Sequence, residues 1–286
     1  MTVPIIRPAS AQEFSIAVEW AASEGWNPGL DDLAAFHAAD PDGFLMGFLG
    51  DEPVSSISVV RYGDGFGFLG FYIVRPEHRG TGTGISTWNA GMRHLEGRTI
   101  GLDGVVAQQD NYRRSGFALA GRNIRHTGVP ARLPAPETGC DIRAVTPADR
   151  DAIARYDRAH FAADRSDFVA NWTQPPTGTR RNSLVATRNG AITGYGTIRA
   201  CRSGYKIGPL FADEPMFAEA LFVALTGSVP DDAEVSLDTP EDNTAAVEIA
   251  KKASLDPVFE TARMYRGDNP GLPISRIFGV TTFELG

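Results

Sequence analysis

The sequence predicts an α+β (mixed α/β) protein with two halves of similar topology, each a mostly antiparallel central sheet flanked by helices. Three observations carry that prediction. Short apolar runs bounded by turn residues alternate with segments of helical spacing. The order strand–helix–hairpin–strand–helix–strand–helix–strand can be read twice along the chain. A stretch with three prolines and two glycines, TGVPARLPAPETG at 127–139, separates the two readings. The expected division is a first domain over 1–128, a linker over 129–139 and a second domain over 140–286.

The elements follow in order. Residues 3–7 form a short strand. Ser10 and Glu13 make a capping box for a helix through Trp20. EGWNPG at 24–29 is a loop, and 31–39 a second helix ended by Asp40-Pro41. Residues 43–49 and 54–62 pair as a hairpin, and 66–74 is a third apolar strand. A glycine loop at 79–84 feeds a helix over 85–96. A strand at 99–106, a short helix at 110–115 and a strand at 117–126 complete the first half. In the second, 141–145 is a strand, and Thr146 with Asp149 caps a helix. Asn189-Gly190 turns a hairpin of 183–188 and 191–200. Then come a strand at 205–210, a helix at 215–226, a strand at 234–238, a helix at 244–253, a strand at 258–265 and an extended segment at 275–284.

Composition narrows the classes. The 286 residues are 42% hydrophobic and 22% charged, which excludes disorder for the chain as a whole. No apolar run reaches the length of a membrane helix, and no basic segment followed by an apolar one opens the chain. A cytoplasmic protein is expected, with neither membrane nor nucleic acid as partner. The two cysteines, Cys140 and Cys201, have no metal-ligand spacing, and no metal is expected. The net charge of −8 is unevenly spread. Residues 10–64 hold ten acids and one base; residues 75–132 hold nine arginines and four acids. That is either two solvated faces, or an enzyme with a polyanion on one side and a cation on the other.

The glycine loop is the sharpest signal. An apolar strand, GFGFLGFYIV, runs through Arg75-Pro76 into Arg79-Gly80-Thr81-Gly82-Thr83-Gly84 and then a helix. Glycines let a ligand approach the backbone, and free amides at a helix start bind an anion. Arg79 adds a charged fork. A dinucleotide fingerprint fails, because its third glycine would fall at Ile85 or Thr87. A Walker loop fails for want of lysine, the first being Lys206.

Arg-x-x-Gly-x-Gly at 79–84 instead resembles the acyl-CoA pyrophosphate loop of the GNAT superfamily of N-acetyltransferases. The block GLDGVVAQQDNYRRSGF resembles that superfamily's second half-motif. With EGWNPG, VFETARMYRG and IFGVTTFELG, nearly the whole chain is similar to the YitH-like tandem acetyltransferases. These have a catalytic GNAT domain followed by a degenerate GNAT-like domain. The resemblance implies acetyl-CoA as co-substrate and direct attack by an amine in a ternary complex. It implies that Phe71, Tyr72, Ile73 and Val74 hold the pantetheine arm, and that Arg79, Gly80, Thr81, Gly82, Thr83 and Gly84 hold the pyrophosphate. Asn111 and Tyr112 would lie by the sulfur, with Tyr112 protonating the leaving thiolate. The base stays open among Asp103, Glu24, Asp31 and Asp32. The second half departs from the pattern: Phe211-Ala212-Asp213-Glu214-Pro215 replaces the glycine loop.

Glu24, Trp26, Asn27, Asp31 and Asp32 are the expected acceptor wall. Their acidity points to a cationic small-molecule amine, with an aminoglycoside antibiotic as first choice and resistance or self-protection as the role. The alternatives are a polyamine or protein N-acetyltransferase and a GNAT-like sensor without turnover. A homodimer is a further expected partner.

Overall fold

A computed structural model describes residues 3–286. The first half runs β1 (Ile5–Pro8), α1 (Ala11–Ser23), α2 (Asp32–Ala39), β2 (Phe44–Leu49), β3 (Glu52–Tyr62), β4 (Phe66–Val74), α3 (Thr83–His94), β5 (Thr99–Val105), α4 (Gln109–Arg114) and β6 (Ala118–Gly128). The second runs β7 (Asp141–Ala144), α5 (Arg150–Arg158), α6 (Ser166–Thr173), β8 (Arg181–Arg188), β9 (Ala191–Ala200), β10 (Tyr205–Ala212), α7 (Pro215–Thr226), β11 (Val235–Pro240), α8 (Thr244–Lys252), β12 (Asp256–Arg266) and β13 (Ile277–Gly279).

Local signals set most boundaries. At α1 the Ser10 hydroxyl accepts the Glu13 amide at 3.2 Å, and the Glu13 carboxylate accepts the Ser10 amide at 2.9 Å. The helix after the glycine loop starts at Thr83, two residues earlier than expected, so Thr83 and Gly84 belong to its first turn. The extended segment expected at 275–284 shrinks to β13, and its remainder turns inward. Helix α6 was not anticipated. No side chain caps its start, and it is held by burial of Phe168, Val169 and Trp172.

The strands join one sheet in the order β1-β2-β3-β4-β5-β12-β6-β11-β10-β9-β8-β7, with β13 also on β10. Pairing is antiparallel except at β4–β5 and β10–β11. Two separate sheets were expected; the halves instead exchange β6 and β12. β12 pairs β5 of the first half, β6 pairs β11 of the second, and β6 and β12 pair each other. The physical reason is edge protection. β5 and β11 would each end a half-sheet with unpaired amides and carbonyls, and each takes the other half's strand as cover. Segment 129–139 has no regular structure and links β6 to β7.

One buried cluster crosses between the halves, joining Phe14, Phe36 and Phe71 to Phe168, Trp172 and Tyr195. Phe36 stacks on Trp172 with centroids 5.7 Å apart. The Trp172 ring also carries the Arg181 and Arg199 guanidiniums, 3.9 and 4.9 Å from its centroid. Both arginines bind Asp32 at 2.9 Å. Asp31 accepts the Arg180 amide at 2.9 Å, and Asn27 exchanges hydrogen bonds with the Ser203 backbone. Segment 27–32 is thus stitched to the second half.

The acid-rich stretch is spent in the same way. Glu13, Glu19, Glu24, Asp31, Asp32, Asp40 and Glu52 all pair with arginines, most of them distant in sequence. Burial would raise Asp40, but hydrogen bonds from His94 and Arg61 hold it well below the usual carboxylate range. No helix of the described residues is long and apolar enough to cross a membrane.

Asp32→Ala leaves two buried guanidiniums unpaired, at a cost of about 3–5 kcal/mol. Urea unfolding should show that loss, whereas Asp42→Ala at an exposed site should stay within about 0.5 kcal/mol of the parent.

Candidate active site

The site begins where two parallel strands part. β4 and β5 pair only from Phe66–Thr99 to Leu69–Leu102. Just beyond, Phe71 takes φ +45°, a left-handed conformation unusual for a bulky residue. The β3–β4 register shifts opposite Ser56–Ser58, and the Ser56 hydroxyl donates to the Phe71 carbonyl at 2.8 Å. This bulge turns the rest of β4 away from β5. A cavity of about 670 Å³ opens along the parted seam.

Phe71, Tyr72, Ile73 and Val74 form one wall, with Arg79 at their end. Gly80, Thr81, Gly82, Thr83 and Gly84 lie beyond the lining, in the turn and first turn of α3; the next residue, Ile85, lines the cavity. Gly82 is the N-cap at φ +91°, where any side chain would be strained, and no side chain caps the helix. The first amides of α3 therefore point outward without an acceptor, with the helix dipole behind them. The loop can hold a phosphate group. Arg79 is not the free fork expected from the sequence. It donates to the Val74 carbonyl at 2.9 Å and to Glu24 at 2.6 Å. Both partners are exposed, so the ion pair is weak and open to exchange.

The facing wall comes from β5 and α4. Tyr112 and Asn111 both line the cavity. Tyr112 is buried, its ring 5.8 Å from Trp88 in a stacked pair. Its hydroxyl has no hydrogen-bond partner among the described residues. Burial, with a smaller push from Tyr72, moves this phenol up to about 12. At neutral pH it carries its proton and can act as a donor. Asn111 bonds Gln108 and Arg114.

The sequence-based acceptor wall divides. Glu24 and Trp26 line the cavity; Asn27, Asp31 and Asp32 do not, being bound into the second half as described above. Asp103 lines the cavity, yet its carboxylate is taken. Oδ1 accepts from Asn123 at 2.7 Å and Arg263 Nε at 2.9 Å, and Oδ2 accepts from Arg263 Nη2 at 2.6 Å. Held by three donors and with its side chain fully buried, it fastens β12 against β5.

The second half supplies the rest of the wall: Phe259 and Thr261 of β12, and Phe283 and Glu284 of the segment after β13. Arg125 of β6 lies 4.9 Å under the Phe283 ring, binds Asp238 through two hydrogen bonds and donates to the Trp26 carbonyl at 3.0 Å. Sequence reasoning missed Phe283 and Glu284. They lie in no motif with a chemical signature, and only the chain path brings them here. The tail passes so close to β4 that a side chain at Gly70 would meet the Glu284 carbonyl at 2.2 Å.

The equivalent gap in the second half is closed. β10 and β11 also part, after Ile207–Leu237, but β13 fills in against β10 at Leu210 and Phe211. There Glu214 stands at the N-cap of α7 and Pro215 at its first position, so a carboxylate and a missing amide replace the anion loop. Glu52, Glu77 and His78 are the one candidate metal cluster among the described residues, and Arg75 already bridges the two carboxylates.

Comparison with known proteins agrees with this architecture. The model of the acetyltransferase (GNAT) family matches residues 11–118, and that of an acetyltransferase (GNAT) domain matches 153–279. The holothin acyltransferase of Pseudoalteromonas sp. (strain SANK 73390) is 32% identical over 281 residues, spanning 98% of this chain and 94% of that protein. A Pyrococcus horikoshii structure with a provisional acetyltransferase assignment superposes with a TM-score of 0.82 at 22% identity, covering 100% of this chain and 97% of that one. A tandem GNAT protein from the clavulanic acid biosynthesis pathway has a TM-score of 0.63 at 14% identity, covering 93% and 99%. At these identities the two structures speak for the fold alone.

The Tyr112 phenol, raised from about 10 to about 12 by folding, contributes stability that is complete below pH 10. That contribution is lost as pH rises toward 12, because the unfolded chain releases the proton first. Between pH 10 and 12 the wild type should lose about 1.4 kcal/mol per pH unit more than Tyr112→Phe, measured by urea unfolding of the pair across that range.

Proposed function

The chain belongs to the GNAT superfamily of acyltransferases, and from that premise we propose that it moves an acyl group, acetyl first of all, from coenzyme A to the primary amine of a small acceptor. The observation that carries the reading is one continuous seam. It has outward-pointing amides of an uncapped helix at one end, the parted edge of β4 along its length and the protonated hydroxyl of Tyr112 on the facing wall.

The residues present suit the donor. The amides of Thr83, Gly84 and Ile85 would take the pyrophosphate, with Arg79 released from its weak pair with Glu24. The backbone of 71–74 would take the pantetheine arm, and a backbone N–H there would polarise the acyl oxygen. Acetyl-CoA supplies a thioester, whose carbonyl carbon accepts the amine and whose sulfur departs. Tyr112 gives its proton to that sulfur, and stacking on Trp88 keeps its ring in place. Asp103 holds Arg263 and so the β5–β12 seam.

The acceptor end supports a flat or apolar amine. Trp26, Phe259 and Phe283 supply its apolar surface. The relative named for holothin supports a small molecule as acceptor. A polycation such as an aminoglycoside or polyamine rests on the acid-rich stretch alone, and most of those acids are bound to arginines.

The test is thiol release from acetyl-CoA with aromatic and apolar primary amines, aminoglycosides and polyamines side by side. Turnover should favour the aromatic amines. Tyr112→Phe should lower kcat by about 10²-fold or more with KM for acetyl-CoA within about twofold, because the lost interaction is with the leaving sulfur. Gly82→Ala should raise that KM with a smaller effect on kcat. Absence of thiol release with every amine tested, or an unchanged kcat in Tyr112→Phe, would overturn the reading.

A further inference from the structure

Glu284 is an unusual buried acid. It is 5% exposed, yet no N–H or O–H among the described residues donates to its carboxyl. Buried carboxylates are ordinarily hydrogen-bonded, because an unpaired one costs its full desolvation. The carboxyl oxygens are not sealed in either: they are absent from the buried unpartnered atoms, and the residue lines the cavity. A carboxylate unpaired in the fold, on a residue of the cavity wall, can take its partner from the cavity.

Its neighbours explain why it stays free. The charges of Arg125 on β6, Arg199 on β9 and Lys206 on β10 all reach Glu284. The hydrogen bonds they make go elsewhere. Arg125 binds Asp238 and the Trp26 carbonyl, Arg199 binds Asp32, and Lys206 donates to the Asn27 carbonyl at 3.0 Å. Across the cavity Asp103 is held by Arg263 and Glu24 by Arg79, and Tyr72 and Tyr112 keep their protons. Among the cavity's acids Glu284 alone has no hydrogen-bond donor.

Its position is fixed by backbone. The Cα of Glu284 lies 2.8 Å from where a Gly70 side chain would begin, directly before the bulge at Phe71. The Ser58 hydroxyl reaches its carbonyl at 3.5 Å, and the Tyr62 hydroxyl donates to the Leu285 carbonyl at 3.1 Å. The carboxyl group therefore starts from the point at which β4 leaves β5.

We propose that Glu284 is the catalytic residue that receives the acceptor's ammonium and takes its proton, freeing the nitrogen lone pair to attack the acyl carbon. This rests on the acyl-transfer reading above. The balance is complete. The N–C bond forms and the C–S bond breaks. Nitrogen loses two protons: Glu284 takes the first from the ammonium before attack and passes it to solvent, and the second leaves as the adduct collapses. Tyr112 gives a proton to sulfur and is reprotonated through solvent by that second proton, so one proton in all is released. The base thus comes from the half of the chain whose own cleft is closed.

Two measurements test it. In the first, phenethylamine is titrated into wild type, Glu284→Gln and Glu284→Asp at pH 7, followed by isothermal titration calorimetry, with CoA titrated separately. Glu284→Gln should bind the amine at least about tenfold more weakly, with CoA affinity within about twofold; Glu284→Asp should recover part of the loss. In the second, the rate of acetyl transfer to the same amine is followed against pH. Wild type should reach its plateau well below the amine's own pKa. The Glu284→Gln rate should be about 10²–10⁴-fold lower at neutral pH and climb tenfold per pH unit toward that pKa. Equal amine affinity in wild type and Glu284→Gln, an unchanged pH profile, or joint loss of CoA binding would overturn the proposal. If wild type transfers nothing although CoA binds, the acyl-transfer reading falls, and the amine titration still judges Glu284 alone.

Discussion

The pairing of β6 with β12 is the constraint on which the rest of the structure depends. β6 ends the first half and β12 is the last long strand of the second, and each pairs with a strand of the other half. Exchange satisfies the backbone of β5 and β11 in a single step, and it brings side chains of both halves to one seam. Arg263 of β12 reaches Asp103 of β5, and Arg125 of β6 reaches Asp238 of β11 and the loop at Trp26. The cavity walls are fastened to one another through these pairs. Neither half alone would present Phe259, Phe283 or Glu284 to the opened edge of β4.

Charge shows the same long-range logic. The stretch 10–64 is strongly acidic as a sequence, and that pattern suggested a funnel for a polycation. In the fold its carboxylates meet arginines from as far away as 181, 199 and 202. A charge run gives composition but not partners. Asp32 illustrates the difference: beside Trp26 in sequence it seemed part of an acceptor wall, yet it is buried between two guanidiniums on Trp172. Its role is to join the halves, and it stands outside the cavity wall formed by Trp26, Phe259 and Phe283.

What was legible in the chain was what local physics decides. The Ser10–Glu13 box, the Asn189-Gly190 turn and the apolar run of 66–74 each depend on residues a few positions apart, and their elements lie where expected. The glycine loop was readable because Gly82 needs a left-handed backbone and the helix after it needs no cap of its own if an anion will sit there. Asp103 could be placed on its strand but not in its environment, since Arg263 is 160 residues away. Strand exchange was hidden for the same reason. The patterns of 117–126 and 258–265 are correct as strands, and nothing in alternation says which sheet receives a strand.

The two halves also explain each other. Both contain a pair of parallel strands that parts midway, and a parted seam leaves backbone groups in need of partners. In the second half β13 supplies them, and Glu214-Pro215 removes the anion site beside it. The chain then continues through Val280, whose amide donates to the Asp238 carbonyl, and enters the first half beneath Gly70. One run of ten residues, 277–286, therefore closes one cleft and floors the other. Closing the second cleft is what delivers the tail to the first. The closing of one cleft and the flooring of the other follow from a single path of the chain. A substitution that loosens β13 from β10 should act on both halves together, since the anchor of Glu284 lies in the closed cleft.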